Sequence, residues 1–237
     1  MLINGTPISA YGVVDSSYEF GEPNVITYDN WMKGAPHPIF YNQDVQYSTC
    51  VIEAYMQHTT REALENNISN LTRAFNRCVV AFTSISGTFE GYLTARNIEK
   101  LTAFSVRVTF TLQGRRLAAQ NSQIITTFTE STVFNVEGNS DIPLTMKLNT
   151  NSAVEFVYIW INGHIYSFEN LEANKTYVLD TEIGRFYELN GSTETNCIDK
   201  FGGYELPFLI GGDNSIRFSS GASGFASVEV IWKGRWQ

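Results

Sequence analysis

The chain has 237 residues, of which 43% are hydrophobic, 14% are aromatic and only 17% are charged, a balance typical of strand-rich proteins. Its net charge of -8 lies in the second half: residues 1–127 hold nine Lys/Arg against ten Asp/Glu, and residues 128–237 hold seven against fourteen. Because an acidic surface repels nucleic acid and anionic membranes, we expect neither sequence-specific nucleic-acid binding nor a membrane partner.

The first half begins with a hairpin signal and contains a helix signal. In "MLINGTPIS" an Asn-Gly pair lies between apolar flanks, which indicates a tight β-hairpin because both turn positions must tolerate positive φ. Thr59 and Glu62 have the spacing of a capping box. The segment that follows has one apolar stripe at helical spacing: Leu64, Ile68, Leu71 and Phe75. We predict an amphipathic helix over about residues 60–77, packed on a sheet.

Strands resume after the helix. The segment "FSVRVTF" alternates, with Val106, Val108 and Phe110 on one face and Arg107 and Thr109 on the other. The charge balance changes after "GRRLAAQNSQ", and we place a domain boundary near residue 125. The expected domains are 1–125 and 126–237.

The second half carries six to eight strand candidates at the spacing of a sandwich or barrel. Asn-Gly pairs in "YIWINGHIYSF" and "YELNGSTE" predict two further hairpins. In "VEFVYIWI", residues 154–161, apolar side chains stand on both faces, which predicts a strand that is covered on both faces.

The three cysteines, Cys50, Cys78 and Cys197, lack the spacing of a zinc motif or a disulfide framework, so we expect buried thiols. No basic segment followed by an apolar stretch marks a signal peptide. The longest aromatic-aliphatic run, residues 156–161, is far shorter than the ~20 residues of a membrane helix. We therefore expect synthesis in a cytoplasm.

Catalytic patterns are weak in this sequence. His37, His58 and His164 stand in unrelated contexts with no Gly-x-Ser-x-Gly motif, and no common zinc motif is present. Paired glycosidase carboxylates can come from distant strands. The candidates all sit in or near predicted turns, where turn chemistry explains them: Glu130, Glu137, Asp141, Asp180, Glu182 and Asp213. We expect no enzyme, no metal and no cofactor.

Aromatic side chains of the chain offer a binding alternative. If exposed, they would stack on sugar rings as in a sandwich lectin, and if buried they belong to a core. The candidates are Trp31, Tyr166, Phe186, Tyr187 and Tyr204.

The segment "GYELPFLIGGDNSIRFSSGASGFASVEVIWKGRW", with "IWINGHIYSF" and "KTYVLDTEIGRFYELNG" before it, resembles the C-terminal half of phage distal tail proteins. In that family an Asn-Gly hairpin leads to a strand with a central Asp, here Asp180. The opening "LINGTPISAYGVV" and the segment "CVVAFTSISGTFEGYL" after the helix are similar to the N-terminal half. The likeness covers nearly the whole chain.

This resemblance implies a mainly β protein with a tail-tube-like N-terminal barrel or sandwich and a C-terminal galectin-like β-sandwich. It implies a homo-hexameric ring in the virion tail, joining the tail tube protein to the tail-tip protein and the receptor-binding protein or fibre. Strand edges without charged residues would favour pairing between subunits. The alternative function is a carbohydrate-binding adaptor that uses the galectin-like second domain on host cell-surface glycans, either cell-wall or capsule sugar.

Overall fold

The structure is a computed structural model, and it describes residues 1–22, 25–30, 39–45 and 47–236. The described chain is mainly β with one α-helix, which confirms the predicted class. It divides into two compact units, Met1–Leu117 with Trp236, and Ala118–Arg235. The division falls inside a long strand, Ser105–Ile125. The expected domains, 1–125 as a ring-forming domain and 126–237 as a galectin-like domain, stay predictions.

The strands of the first unit follow the predicted hairpin and alternation signals. They are β1 (Leu2–Ile3), β2 (Thr6–Pro7), β3 (Val13–Gly21), β4 (Val25–Asn30), β5 (Ile39–Val45), β6 (Ser48–Gln57), β7 (Cys78–Ala81), β8 (Thr88–Lys100) and β9 (Ser105–Ile125). Antiparallel pairing gives the sheet order β3-β6-β9-β8-β7-β1-β2. Strands β4 and β5 pair antiparallel with each other as a separate two-stranded sheet, and Ile8–Tyr11 form a short 3-10 helix.

Helix α1 (Arg61–Phe75) lies against one face of this sheet. All four residues of its predicted stripe are buried, and Leu71 and Phe75 are fully inaccessible. The ring of Phe75 packs 4.7 Å from that of Phe110 on β9. The predicted amphipathic helix is therefore confirmed, and its apolar face forms the core of the first unit.

The predicted capping box is wrong by one residue. Thr60 is the N-cap, and its hydroxyl accepts a hydrogen bond from the Ala63 amide at 3.3 Å. Thr59 instead contacts the ring of His58. Thr60 has extended backbone angles, the geometry that an N-cap requires, so it takes the capping position although no Glu or Gln stands three residues after it.

The second unit contains the remaining strands. They are β10 (Thr132–Val136), β11 (Ile142–Thr150), β12 (Val154–Ile161), β13 (His164–Leu171), β14 (Thr176–Asp180), β15 (Arg185–Asn190), β16 (Thr193–Asn196), β17 (Phe201–Gly202), β18 (Phe208–Leu209), β19 (Gly212–Phe218) and β20 (Phe225–Trp236). Short 3-10 helices occur at Ile198–Lys200 and Ser220–Gly224. One sheet has the order β16-β15-β14-β11-β20, with β18 added to β11, and the other has the order β10-β19-β12-β13-β17.

These two antiparallel sheets share one apolar core. Strand β11 shows why: its residues alternate strictly between buried and half-buried, and Met146 and Leu148 are fully inaccessible. From the other sheet, Val157 and Ile159 of β12 join the same core. Strand β13 follows β12 through the predicted Asn162-Gly163 turn, where φ is 51° and 88°.

The prediction that residues 154–161 are covered on both faces is wrong. One face of β12, with Val157, Ile159 and Ile161, is buried. The opposite face leaves Phe156 and Tyr158 38% and 42% exposed. The described residues therefore include an aromatic strand face that looks like a core strand in sequence but lies at the surface.

Candidate assembly and binding surfaces

The structure places His58 and His164 in separate environments. Half-buried His58 precedes α1, where its Nδ1 lies 3.4 Å from the Thr60 amide. His164 is exposed at the start of β13, with its ring 6.1 Å from that of Phe208. His37 lies outside the described residues. Within the described ranges, the one hydroxyl in hydrogen-bonding distance of either ring is that of Thr59, at 3.4 Å from Nδ1 of His58.

Three of the six candidate carboxylates serve turns and pairs. Asp180 accepts hydrogen bonds from the amides of Glu182 and Ile183, at 3.0 and 3.4 Å, in the turn after β14. The Glu182 carboxylate lies 2.7 Å from the Arg235 guanidinium. The Asp213 carboxylate accepts a hydrogen bond from the side-chain amide of Asn135 at 3.0 Å. These contacts account for three of the six carboxylates as local structure.

All three cysteines are buried and free, as predicted. Burial, with a smaller contribution from the Cys78 thiolate, raises the pKa of Cys50 to about 12. Burial also raises the pKa of Cys78 to about 11. Both thiols are therefore protonated at neutral pH, which is unfavourable for a nucleophile or a metal ligand.

Within the described part of the chain, no three His, Cys, Asp or Glu side chains come together as a metal site. No helix found there is long and apolar enough to cross a membrane.

The candidate aromatic residues separate into core and surface. Tyr166 is 5% exposed and Phe186 is fully buried, so neither is available for stacking on a ligand. Tyr187 is half-buried, with the Arg185 guanidinium over its ring at 5.1 Å. Tyr204 is fully exposed, and Trp31 lies outside the described residues.

Sequence reasoning missed Tyr158 as a surface residue. The neighbouring strand β13 carried the signal that could have found it. The two-residue turn between β12 and β13 fixes the register of the two strands. This register places Phe156 opposite Glu169 and Tyr158 opposite Ser167. Since Ser167 and Glu169 are polar, the face they share with the aromatic residues of β12 is the solvent face.

Two strands of the first unit have one unpaired edge among the described residues. Strand β3 pairs only with β6, along Val13–Gly21. Strand β8 has thirteen residues, of which Thr88–Gly91 pair with β7, so Tyr92–Lys100 pair only with β9. Each edge is thus about nine residues long, and it presents unpaired backbone amides and carbonyls.

These edges carry charges, contrary to the expectation from sequence. Asp15 and Glu19 stand on β3, and Arg96, Glu99 and Lys100 stand on β8. Two of the charged side chains on β8, Arg96 and Glu99, contact other side chains of the same chain.

The engaged charges are Arg96, which donates to the Thr72 hydroxyl at 2.8 Å, and Glu99, which lies 3.3 Å from Arg107. Counted over these side chains, the β3 edge is negative, with two acidic residues, and the β8 edge is positive, with two basic residues against one acidic.

The sheet face opposite α1 is largely polar, although it also includes Val51, Tyr55 and Tyr92. The side chains on this face include Glu53 of β6, Asn97 of β8, and Arg107, Thr109 and Gln113 of β9. A sheet with one buried face and one polar face needs no second layer to be stable in water. Among the described residues, the first unit therefore has a side covered by the helix, a largely polar side and two unpaired strand edges.

No protein-family model and no curated protein matches the sequence. Among solved structures, the chain is similar to SPP1 Dit (gp 19.1), whose crystal structure is described as a paradigm of the hub adsorption apparatus in phages infecting Gram-positive bacteria. The TM-score is 0.77 at 10% identity, over 100% of this chain and 98% of that chain.

The chain is also similar to chains of the activated phage P2 baseplate. For the structure of that baseplate with Ca, the TM-score is 0.49 at 6% identity, over 92% of this chain and 90% of that chain. For the structure with Sr, the TM-score is 0.48 at 6% identity, over 91% of this chain and 90% of that chain. The likeness to SPP1 Dit gives the chain the fold of a phage distal tail protein over its whole length, which confirms the resemblance at the level of the fold.

Proposed function

We propose that this protein is the distal tail protein of a phage or phage-like particle, a structural baseplate hub. Six copies form a ring that joins the tail tube protein to the tail-tip protein and the receptor-binding protein or fibre. The observation that carries the proposal is the fold likeness to SPP1 Dit, which extends over both chains almost entirely. The role requires no catalysis.

The unpaired edges of the first unit support ring assembly. The strand series β3-β6-β9-β8 has four antiparallel strands, so β3 and β8 run in opposite directions. A copy rotated about an axis parallel to the strands would bring its β3 beside β8 of its neighbour. That junction is antiparallel, and it satisfies the backbone groups of both edges.

The charge distribution supports placing the ring contacts in the first unit. Residues 1–127 are nearly balanced, whereas residues 128–237 hold seven basic against fourteen acidic side chains. Six acidic halves packed closely around an axis would repel each other. Spaced outward by more than about 10 Å, they are screened at 0.1 M salt.

Electron microscopy and native mass spectrometry of the purified full-length protein test this proposal. We expect a ring with a central hole and the mass of six chains. A monomer at every concentration, or a closed dimer, would contradict the hexameric hub.

Edge substitutions test the assembly mode. Ala95→Lys/Asn97→Lys adds two charges to the exposed edge strand β8, and we expect it to yield monomers that keep the folded circular dichroism spectrum of the parent. Thr193→Lys/Thr195→Lys adds the same charges to β16, an exposed strand of the second unit, and should leave the ring intact. A ring that survives the first pair and dissociates with the second would place the contacts in the second unit.

A further inference from the structure

The solvent face of β12 carries a row of three aromatic side chains, Phe156, Tyr158 and Trp160, which we call the aromatic row. The rings of Phe156 and Tyr158 meet edge to face at 4.5 Å, and those of Tyr158 and Trp160 lie 6.0 Å apart. The Arg217 guanidinium lies 4.4 Å from the Trp160 ring centroid. Trp160 therefore has a partner, while Tyr158 remains 42% exposed.

An open groove of about 460 Å³ lies between Tyr158 and the loop after β17. Tyr158 and Tyr204 border it, together with Ile165, which is 56% exposed. Its floor includes Ser167 and Gly202, which face each other across β13 and β17. The volume falls in the range of roughly 300–1,000 Å³ that small-ligand sites occupy.

The loop that presents Tyr204 is held in place by packing. A Cβ on Gly203 would stand 2.9 Å from the Phe201 ring and 3.1 Å from the Tyr166 ring, so the backbone itself lies against these two side chains. Their rings stack at 6.2 Å with an interplanar angle of 14°. Tyr204 is thus fully exposed on a segment anchored to the core. An aromatic anchor on a fixed backbone loses little entropy on binding.

The groove combines ring faces with polar groups. The Ser167 hydroxyl donates to the Gly202 carbonyl at 3.3 Å, and the two bordering tyrosines bring hydroxyls of their own. A pyranose matches this combination, because its C–H face stacks on an aromatic ring while its hydroxyls form hydrogen bonds at the rim. The groove is also of the size that holds a small ligand.

The charges around the groove decide between neutral and anionic ligands. Glu169 stands on the same face of β13 as Ser167, and Glu205 follows Tyr204; both are exposed. The surrounding half of the chain has twice as many acidic as basic residues. With the Arg217 guanidinium beside Trp160 counted as well, two carboxylates against one guanidinium leave the surroundings net acidic, which disfavours an anionic polymer and not a neutral sugar.

We propose that the groove between Tyr158 and Tyr204 binds neutral hexose or N-acetylhexosamine units of an oligosaccharide. Tyr204 provides the main stacking platform, Tyr158 the opposite wall, and Ser167 a hydrogen-bonding group at the floor. This site goes beyond the proposed hub function and would give the particle a direct sugar contact independent of other tail proteins.

Saturation-transfer NMR and fluorescence titration of the full-length protein test the site. The probes are maltotriose, cellotriose and chitotriose as neutral sugars, and trigalacturonate as the anionic sugar. We expect at least one neutral probe to bind with a dissociation constant below about 10 mM, and trigalacturonate not to bind. No neutral binding up to that concentration, or a preference for trigalacturonate, would overturn the proposal.

Substitutions locate the site. Tyr204→Ala should weaken binding of the neutral probe at least about tenfold, and Tyr204→Phe, which keeps the ring, should bind within a few-fold of the parent. Tyr47→Ala removes a tyrosine of the first unit that is 52% exposed, and it should change nothing.

Full affinity in Tyr204→Ala would show that the sugar binds elsewhere. A changed particle mass in Tyr204→Ala would instead show that the groove is a contact between copies, which also overturns the proposal. Ring formation by the parent protein is a separate measurement, so failure of the sugar site and failure of the hub function are distinguishable.

Discussion

At the scale of single residues, close contacts between backbones set the strictest requirements. Gly114 of β9 pairs with Gly91 of β8, and a Cβ on Gly114 would stand 2.0 Å from the Glu90 carbonyl oxygen. No side-chain movement relieves a clash with backbone. The pairing of β8 with β9 therefore depends on this glycine, and so does the position of the unpaired edge.

Gly114→Ala should lower the free energy of unfolding by about 1–3 kcal/mol, because β8 must move away from β9. Gly21→Ala is the matched control: its Cβ would make an ordinary 3.4 Å contact with Thr49 on the neighbouring strand. Urea denaturation measures both. Equal stability of the two variants would show that the sheet adjusts at Gly114 without cost.

The buried thiols of the first unit predict a loss of stability at alkaline pH. Unfolded Cys50 ionises near its ordinary value of 9.0, whereas folded Cys50 holds its proton to about 12. Unfolding therefore releases a proton above pH 9. The stability that this thiol contributes is fully present below pH 9 and is lost as the pH rises toward the folded pKa.

We expect the urea midpoint to fall between pH 9 and pH 10.5, and to fall less steeply in Cys50→Ala. Cys197→Ala removes a buried thiol from the other core and leaves Cys50 and Cys78 in place, so it serves as the control. An identical slope in the parent and in Cys50→Ala would show that this thiol is not the group responsible.

At the scale of elements, α1 provides the core of the first unit with one apolar stripe. Its inner face shares one apolar core with Cys50 and Ile52 of β6 and Val108 and Phe110 of β9, and the Phe75 ring packs on that of Phe110. The helix therefore shields the apolar face of the sheet from water. Helix propensity alone does not hold a helix of this length in water; its packing does. The helix is therefore most sensitive to substitution at the residues of this stripe.

Leu71→Asp should lower the free energy of unfolding by on the order of 3 kcal/mol, because it places an unpaired charge in a fully buried site. Ser69→Asp adds the same side chain to the exposed face of the helix and should cost far less. Thermal unfolding compares the two. Unchanged stability of Leu71→Asp would mean that the helix does not pack as described.

At the scale of the whole molecule, the proposed ring makes a specific prediction for hydrogen exchange. The outward-facing amides of Tyr92–Lys100 have no backbone partner among the described residues of a single chain. Pairing with β3 of a neighbouring copy would give them one.

Peptides that cover Tyr92–Lys100 and Val13–Gly21 should exchange more slowly in the assembled protein than in Ala95→Lys/Asn97→Lys monomers. The peptide that covers β16 should exchange equally in both, because that strand belongs to the second unit. Mass spectrometry of exchange at matched protein concentration measures the difference. Protection of β16 without protection of β8 would favour ring contacts through the second unit.

The sequence by itself determined the features that depend on neighbours along the chain. The Asn-Gly turns, the alternation of Val106, Val108 and Phe110, and the helical stripe that contains Leu71 all follow from local periodicity and turn chemistry. The tertiary structure alone decided what covers each face. It buried Tyr166 and Phe186, and it left one side of β12 open.

Tertiary structure also decided which strands remain at the edge. Residues 154–161 and a fully buried strand have the same apolar pattern, because a pattern records side-chain chemistry and not the layer packed against it. In the same way, the sequence of β8 does not indicate that one edge of Tyr92–Lys100 is unpaired. Burial and pairing depend on residues distant in the chain, and for that reason the candidate groove and the free edges became visible only in the folded molecule.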